Sequence, residues 1–185
     1  MIQKIAIING NPDLTKNNLN TYLSDLEQGF GKNGTSVVTH TLSEKEIRHC
    51  IGCFDCWWKT PGICRFSDDS DKMLSDIINS DLVIFASPLI MGMYSALLKR
   101  FHDRMIPLIH PYIEIVNGEC HHRKRYPVYP KVGVLLENND ATPKEFENTR
   151  FIFDRIAINM HSEVKFFYSI QQRSPKEINN EISNF

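Results

Sequence analysis

Three short runs constrain this chain most. Ile5-Ala6-Ile7-Ile8, Leu82-Val83-Ile84-Phe85-Ala86 and Val132-Gly133-Val134-Leu135-Leu136 carry no polar side chain at any position. A strand with one face in water alternates apolar and polar residues; a strand buried on both faces reads as a continuous apolar run. Such strands belong to parallel sheets, whose crossovers lay helices on the faces. The stretches between the runs have the helical period. Leu19, Tyr22, Leu23, Leu26 and Phe30 recur at that spacing, and Gly31 and Gly34 close the pattern. Asp68-Asp69-Ser70 supplies cap chemistry ahead of Met73, Leu74, Ile77 and Ile78. Leu97, Leu98 and Phe101 continue one helix, and Phe146, Phe151, Ile152, Ile156 and Met160 populate another.

Two weaker strands complete the set, Thr35 to Leu42 at an edge and Val164 to Tyr168 at the end. Strands alternating with helices in this way predict an α/β domain of three layers, α/β/α, with a five-stranded parallel sheet of order 2-1-3-4-5. The tail after Pro175 reads as a short polar helix at best. The 185 residues suit a single domain over 1–185. One excursion breaks the rhythm: from Pro107 to about Pro130 there are four prolines, several aromatics and no clear period. A stretch of that length in a compact domain is expected to be a lid or an interface segment.

Charge and cysteine usage bound the partners. The net charge is −1, so no global field draws nucleic acid or an anionic membrane. Arg123-Lys124-Arg125 reads as a solvated loop. No apolar run is long enough to span a bilayer, and MIQKIAIING turns polar too soon for a signal peptide. Five cysteines, four of them crowded into one segment, do not form a secreted disulfide framework. A cytoplasmic setting is expected.

Ligands of such sheets sit beyond the C-terminal strand ends, where the strand order reverses. The first loop there, NGNPDLTKNNLN, runs into a helix whose N-terminal N–H groups suit a phosphate, with Asn11, Asn18, Asn20 and Thr21 as further donors. The plainer alternative is a loop that only caps its helix. There is no GxGxxG and no Walker lysine. The second loop opens SPLIMGMYSALLKRFHDR. Ser87-Pro88 is expected to stop the strand and leave backbone groups from Leu89 to Met93 free for a planar ring edge. Met91, Met93 and Tyr94 offer apolar contact there, unless they are simply core. Cys50, Cys53, Cys56 and Cys64 are spaced x2, x2 and x7. That spacing admits an iron–sulfur cluster, a zinc ion, or thiols packed as small hydrophobes. Cys120-His121-His122 reads as surface polarity. Asp103 and Arg104 read as a structural pair. No Ser/His/Asp triad and no HExxH is found.

The ordered combination is quite specific: the loop Gly10 to Thr21, then CIGCFDCWWKTPGIC, Asp68-Asp69, Asp81 opening DLVIFASP, and LLKRFHDR. Over most of the chain it resembles the flavodoxin-like NAD(P)H-dependent FMN reductase superfamily, on the branch near iron–sulfur flavoproteins. The resemblance implies that Asn11, Pro12, Asn18, Leu19 and Asn20 hold the FMN phosphate. It implies that Ser87, Pro88, Leu89, Ile90, Met91 and Gly92 hold the isoalloxazine edge. It further implies NAD(P)H as co-substrate, a small acceptor such as a quinone, nitro compound or flavin, and a homodimer or higher homo-oligomer. No side chain is assigned a catalytic role, since flavin N5 carries the chemistry. Trp57 and Trp58 would shape the acceptor pocket. A 4Fe–4S cluster on the four cysteines is the less favoured option beside packed thiols. An electron-transferring iron–sulfur flavoprotein and a non-catalytic flavin-binding redox module stay open as alternatives. The chain departs from the family pattern at Asn11, usually serine, at Ile90, usually aromatic, and at Glu137-Asn138-Asn139-Asp140, where glycine is frequent.

Overall fold

The continuous apolar runs are the central strands. The computed structural model describes residues 2–15, 17–138 and 140–183, Asn17 by its backbone. The chain forms β1 (Lys4–Asn9), α1 (Asn17–Lys32), β2 (Ser36–Thr41), α2 (Asp55–Trp58), α3 (Asp69–Ile78), β3 (Leu82–Ile90) and β4 (Met93–Tyr94). It continues through α4 (Ala96–Asp103), β5 (Ile109–Val116), β6 (Glu119–Lys124), β7 (Lys131–Glu137), α5 (Pro143–Asn159), β8 (Val164–Ser169) and α6 (Pro175–Ile182). The parallel strands stand in the order β2-β1-β3-β7-β8, which is the flavodoxin-like 2-1-3-4-5 order. Asp81, just before β3, accepts the N–H groups of Gln3 (2.8 Å) and Lys4 (2.9 Å) and so sets the start of β1 against β3.

Side chains alternate across the central strands, as the pleat requires. Ala6, Ile8, Val83, Phe85, Val132 and Val134 face α3, α4 and α5. Ile5, Ile7, Leu82, Ile84 and Leu135 face α1 and α6. Both faces are thus covered, and that is why these strands lack polar positions.

Three elements differ from the sequence reading. Ser87-Pro88 does not stop β3, which runs on to Ile90 with Pro88 opposite Glu137 of β7. The last partner from β1 is Asn9, opposite Ala86, so Pro88 lies where β3 has lost one neighbour and a missing N–H breaks no ladder on that side. The irregular stretch 107–130 contains a two-stranded antiparallel hairpin, β5–β6, with an irregularity between Ile109 and Ile113 around Pro111. Its turn is Asn117-Gly118, both at positive φ (51° and 82°). That pair is a strong hairpin signal which proline content masks. The tail helix α6 is amphipathic and docked. A Ser174–Glu177 capping box starts it, Ile178 and Ile182 are buried, and Asn179 Nδ2 donates to Leu26 O of α1 (3.4 Å).

The longest stretch without regular structure is residues 45–68 apart from the single turn of α2, and one buried side chain holds both of its ends. Arg104, just past α4, is 1% exposed. It forms a two-pronged pair with Asp68, Nη1 to Oδ2 and Nη2 to Oδ1 each at 3.2 Å. The same guanidinium donates to Arg48 O (3.2 Å), Phe66 O (3.3 Å) and Ser70 Oγ (2.8 Å). Arg104 therefore pairs with Asp68, and Asp103 pairs with Lys99 instead of with its neighbour. Burial opposes the Asp68 charge, but hydrogen bonds from Ser70 and the Arg48 amide, with the Arg104 charge, outweigh it and hold the carboxyl below its usual range.

Removing one member of a buried pair leaves the other charge uncompensated, at a cost of about 3–5 kcal/mol. Arg104→Leu is expected to destabilise the fold by that order, and adding Asp68→Asn to recover part of the loss. Urea unfolding with an unchanged slope checks both, with Asp68→Asn alone closing the cycle; a double-variant cost equal to the sum of the two single costs would show that the pair does not couple.

Candidate functional site

The loops after β1, β3 and β7 leave the same end of the sheet, since Asn9 lies opposite Ala86 and Pro88 opposite Glu137 in parallel register. The first loop is held from within by three asparagines. Asn9 Oδ1 accepts the Asn11 N–H (3.0 Å), and Asn20 Oδ1 accepts from Asn9 Nδ2 (2.9 Å) and Asn11 Nδ2 (3.3 Å). Asn11 Oδ1 accepts the Asp13 N–H (3.1 Å). Asn11 is buried and its side chain serves the loop. Leu19 is buried in the core beneath α1, so only its backbone faces outward. Pro12 and Asn18 are exposed, and Asn20 is half-buried. The first turn of α1 has no acidic residue, so its N–H groups meet no fixed negative charge from that turn. Asn9, a member of the network, was not among the residues singled out in the sequence; its place at the strand end beside Gly10 was the available signal.

The second loop is stitched to the first by two serines. Gly10 N–H donates to Ala86 O (2.7 Å), and Ser95 Oγ donates to Gly10 O (2.6 Å). Ser95 Oγ also caps α4 by accepting the Leu98 N–H (3.1 Å), while the Ser95 N–H donates to Ser87 Oγ (2.9 Å). A Cβ on residue 10 would stand 2.8 Å from Leu98 Cβ, which leaves glycine as the residue that fits. Ser87, Pro88 and Leu89 are buried, so their side chains build the scaffold and do not face the loop exterior.

The backbone from Leu89 to Met93 is not free throughout. Leu89 pairs with Tyr94 and Ile90 with Met93, and Met91-Gly92 forms the turn between them. Both turn residues have positive φ, 51° and 78°, as a two-residue turn of type I′ requires. Met91 is 97% exposed, and Ile90 and Met93 are partly so. This apolar tip, held in a backbone region that methionine adopts at a cost, is the part of the loop open to a ligand. A Cβ at Gly92 would lie 2.5 Å from Glu145 Oε1, so the turn also abuts the Thr142–Glu145 capping box of α5.

In the third loop Asn138 N–H donates to Gln171 Oε1 (3.2 Å) and Asn138 Oδ1 accepts the Ala141 N–H (2.9 Å). Asn139 lies outside the described residues. Behind the β3–β4 turn, His102 packs edge-on against Phe85, Tyr94 and Phe153, with Nδ1 3.3 Å from Tyr94 Oη. Burial, with a smaller effect of Lys99, lowers its pKa from 6.5 to about 3.

Cys50, Cys53, Cys56 and Cys64 all line one narrow cavity of about 20 Å³, together with Phe66, Arg104 and Pro107. Cys50 and Cys53 are exposed and Cys56 is buried. Burial, then the neighbouring Cys64, Cys50 and Cys53, push the Cys56 thiol up to about 11. Among the described residues no three His, Cys, Asp or Glu side chains are arranged to hold a metal ion. The Trp57 ring lies against Phe54 and His122, and its indole N–H donates to Ile106 O (3.2 Å), whereas Trp58 is exposed. His121 is not surface polarity: it is buried between Asn159 Oδ1 and Glu119 Oε2, both at 3.1 Å, while Cys120 is exposed. Among the described residues no helix is long and apolar enough to cross a membrane.

Residues 3–126 match the family model described as NADPH-dependent FMN reductase. An iron-sulfur flavoprotein of Methanocaldococcus jannaschii is 32% identical over 105 residues, 57% of this chain and 53% of that protein, so the match spans about half the length of that relative. An iron-sulfur flavoprotein of Clostridioides difficile is 27% identical over 98% of this chain and 85% of its own length. The FMN-dependent NADH-azoreductase of Bacillus anthracis, solved in complex with FMN, superposes with a TM-score of 0.67 at 13% identity, covering 98% of both chains, and shares the fold.

His102, half-buried with its Nε2 shielded from solvent, gives a pH test. Between about 3 and 6.5 the unfolded chain takes up a proton at this position and the folded chain does not, so stability is full above 6.5 and falls as pH drops. His102→Phe keeps the aromatic packing and removes the proton. Between pH 7 and 5 the wild type is expected to lose about 2 kcal/mol more than the variant, read by urea unfolding at both pH values. Buried His40, also lowered, contributes in the same direction to both proteins and cancels in the difference.

Proposed function

This chain belongs to the NADPH-dependent FMN reductase family, and on that premise we propose that it passes hydride from NAD(P)H, through FMN, to a small acceptor such as a quinone, a nitro compound or free flavin. The observation that carries this reading is the pair of loops fixed at one sheet end: a helix N-terminus with no acidic residue in its first turn on one side and the apolar Ile90–Met93 tip on the other. The N–H groups of the first turn of α1, with the exposed Asn18 amide, suit a phosphate dianion. The Asn9–Asn11–Asn20 network fixes that loop before any ligand arrives, which lowers the ordering cost of binding. Ile90, Met91 and Met93 offer an apolar surface to a flat ring, and the polar groups of Ser87 and Ser95 are already paired behind it. FMN, when bound, supplies two-electron redox chemistry, so the residues here bind and orient and need not move protons. Self-association through the hairpin β5–β6, whose Tyr112, Ile113 and Ile115 are exposed, belongs to the same reading, as does a cytoplasmic setting for the free thiols.

One specific observation favours a second reading, electron transfer through a cluster: all four thiols of the segment line a single cavity. Stoichiometric iron and acid-labile sulfide in anaerobically purified protein would support it, and their absence would remove it.

FMN is expected to bind the purified chain at one equivalent with quenched flavin fluorescence, and the complex to oxidise NADH or NADPH with a quinone. Asn20→Leu removes two hydrogen bonds that shape the phosphate loop and is expected to weaken FMN binding by roughly tenfold or more. Failure of the wild type to bind FMN would overturn the reading; unchanged affinity in Asn20→Leu would detach the asparagine network from it.

A further inference from the structure

A pocket of about 120 Å³ lies where α4, β5 and α5 meet, away from the three loops of the sheet end. Met105, Ile109, Ile156 and Met160 supply apolar walls, and His102 and Asn159 are its polar members. His102 Nδ1 is engaged by Tyr94 Oη (3.3 Å), and the other ring nitrogen, Nε2, is buried with no hydrogen-bond partner. Asn159 Oδ1 is already taken by His121 Nδ1 (3.1 Å) and the His122 N–H (3.4 Å).

These facts discriminate between occupants. An apolar cavity of about 150 Å³ admits benzene, so the size suits one six-membered ring. A pure hydrocarbon would leave Nε2 unsatisfied, which costs free energy in a buried site. A single water would leave most of the wall without a partner of its own kind, since the polar side chains of the lining are His102 and Asn159 and the Asn159 oxygen is in use. A charged ligand would meet apolar walls with no partner charge among the lining residues. An apolar ring with a single hydroxyl meets each requirement.

We infer that this pocket is a binding site for a small neutral aromatic molecule with one hydroxyl group, of the phenol class, whose hydroxyl hydrogen-bonds His102 Nε2 while its ring packs on Met105, Ile109, Ile156 and Met160. The site is separate from the flavin loops and does not depend on the function proposed for them.

The probes are phenol and benzene, titrated into the full-length chain by calorimetry and by thermal shift. Phenol is expected to bind saturably at one site and about tenfold more tightly than benzene, the factor that one hydrogen bond gives. His102→Leu is expected to bring the two affinities together while benzene still binds. Ile109→Trp fills the pocket and is expected to abolish both. Because His102→Leu disturbs a packed ring, the imidazole nitrogens of the wild type are also followed by ¹⁵N NMR, and phenol is expected to move Nε2 and leave Nδ1 nearly unchanged. No saturable phenol binding, a tenfold preference that survives in His102→Leu, undiminished binding in Ile109→Trp, or an unmoved Nε2 resonance would each overturn the assignment.

Discussion

The pairing of Arg104 with Asp68 joins the irregular segment, the cap of α3 and the end of α4. A segment of irregular backbone leaves carbonyls that no ladder satisfies, and burying them unpaired is costly. Arg104 meets two of them, Arg48 O and Phe66 O, at the two ends of the cysteine segment, and it meets the cap of α3 through Asp68 and Ser70. Between those ends the chain takes positive φ at Gly52, Phe54 and Gly62. The group that fixes both ends, Arg104, stands just past the C-terminus of α4, the helix that follows the second loop. The cysteine segment is thereby referenced to the same α4 whose N-terminus is held by Ser95.

The sheet end is built on a similar principle with neutral groups. Ser95 joins the β1 loop to the start of α4, and Ser87 joins the β3 end to Ser95. Asn20 gathers Asn9 and Asn11 onto the first turn of α1. The side chains of Asn9, Asn11, Ser87 and Ser95 are used in holding the loops, while the Asn18 amide, the Thr21 hydroxyl and an apolar turn are exposed. A preorganised frame of this kind suits a cofactor whose own groups supply the chemistry.

The sequence was most legible where burial alone decides. Leu82–Ala86 is apolar because both sheet faces are covered, and strands alternating with helices make the sheet parallel, to which the 2-1-3-4-5 order fits. Side-chain direction was not legible. Asn11 and Ser87 look like ligand donors in a loop, yet each turns inward, because nothing local to residue 11 or 87 says that Asn20 or Ser95 will lie within reach. Arg104 looked like a partner for its neighbour Asp103; its true partner is 36 residues away and is set by the crossover through β3. The hairpin was hidden for a different reason. Prolines at 111, 127 and 130 outweigh the Asn117-Gly118 signal in a composition-based reading, although none of them interrupts that turn.

The cysteine cavity shows how these constraints interact. A guanidinium beside a thiol ordinarily favours the thiolate and lowers its pKa. Arg104 lines this cavity, yet the Cys56 thiol is raised to about 11. Burial is the larger cause, and the nearby Cys64, Cys50 and Cys53 add to it. The Arg104 charge is committed to the Asp68 carboxylate and to backbone carbonyls, so little of it remains to stabilise a thiolate. Any metal at these thiols would have to displace the Cys56 proton, which makes its affinity fall as pH drops. Burial and the neighbouring thiols thus keep the innermost cysteine protonated at neutral pH, and Cys50 and Cys53 are exposed to solvent.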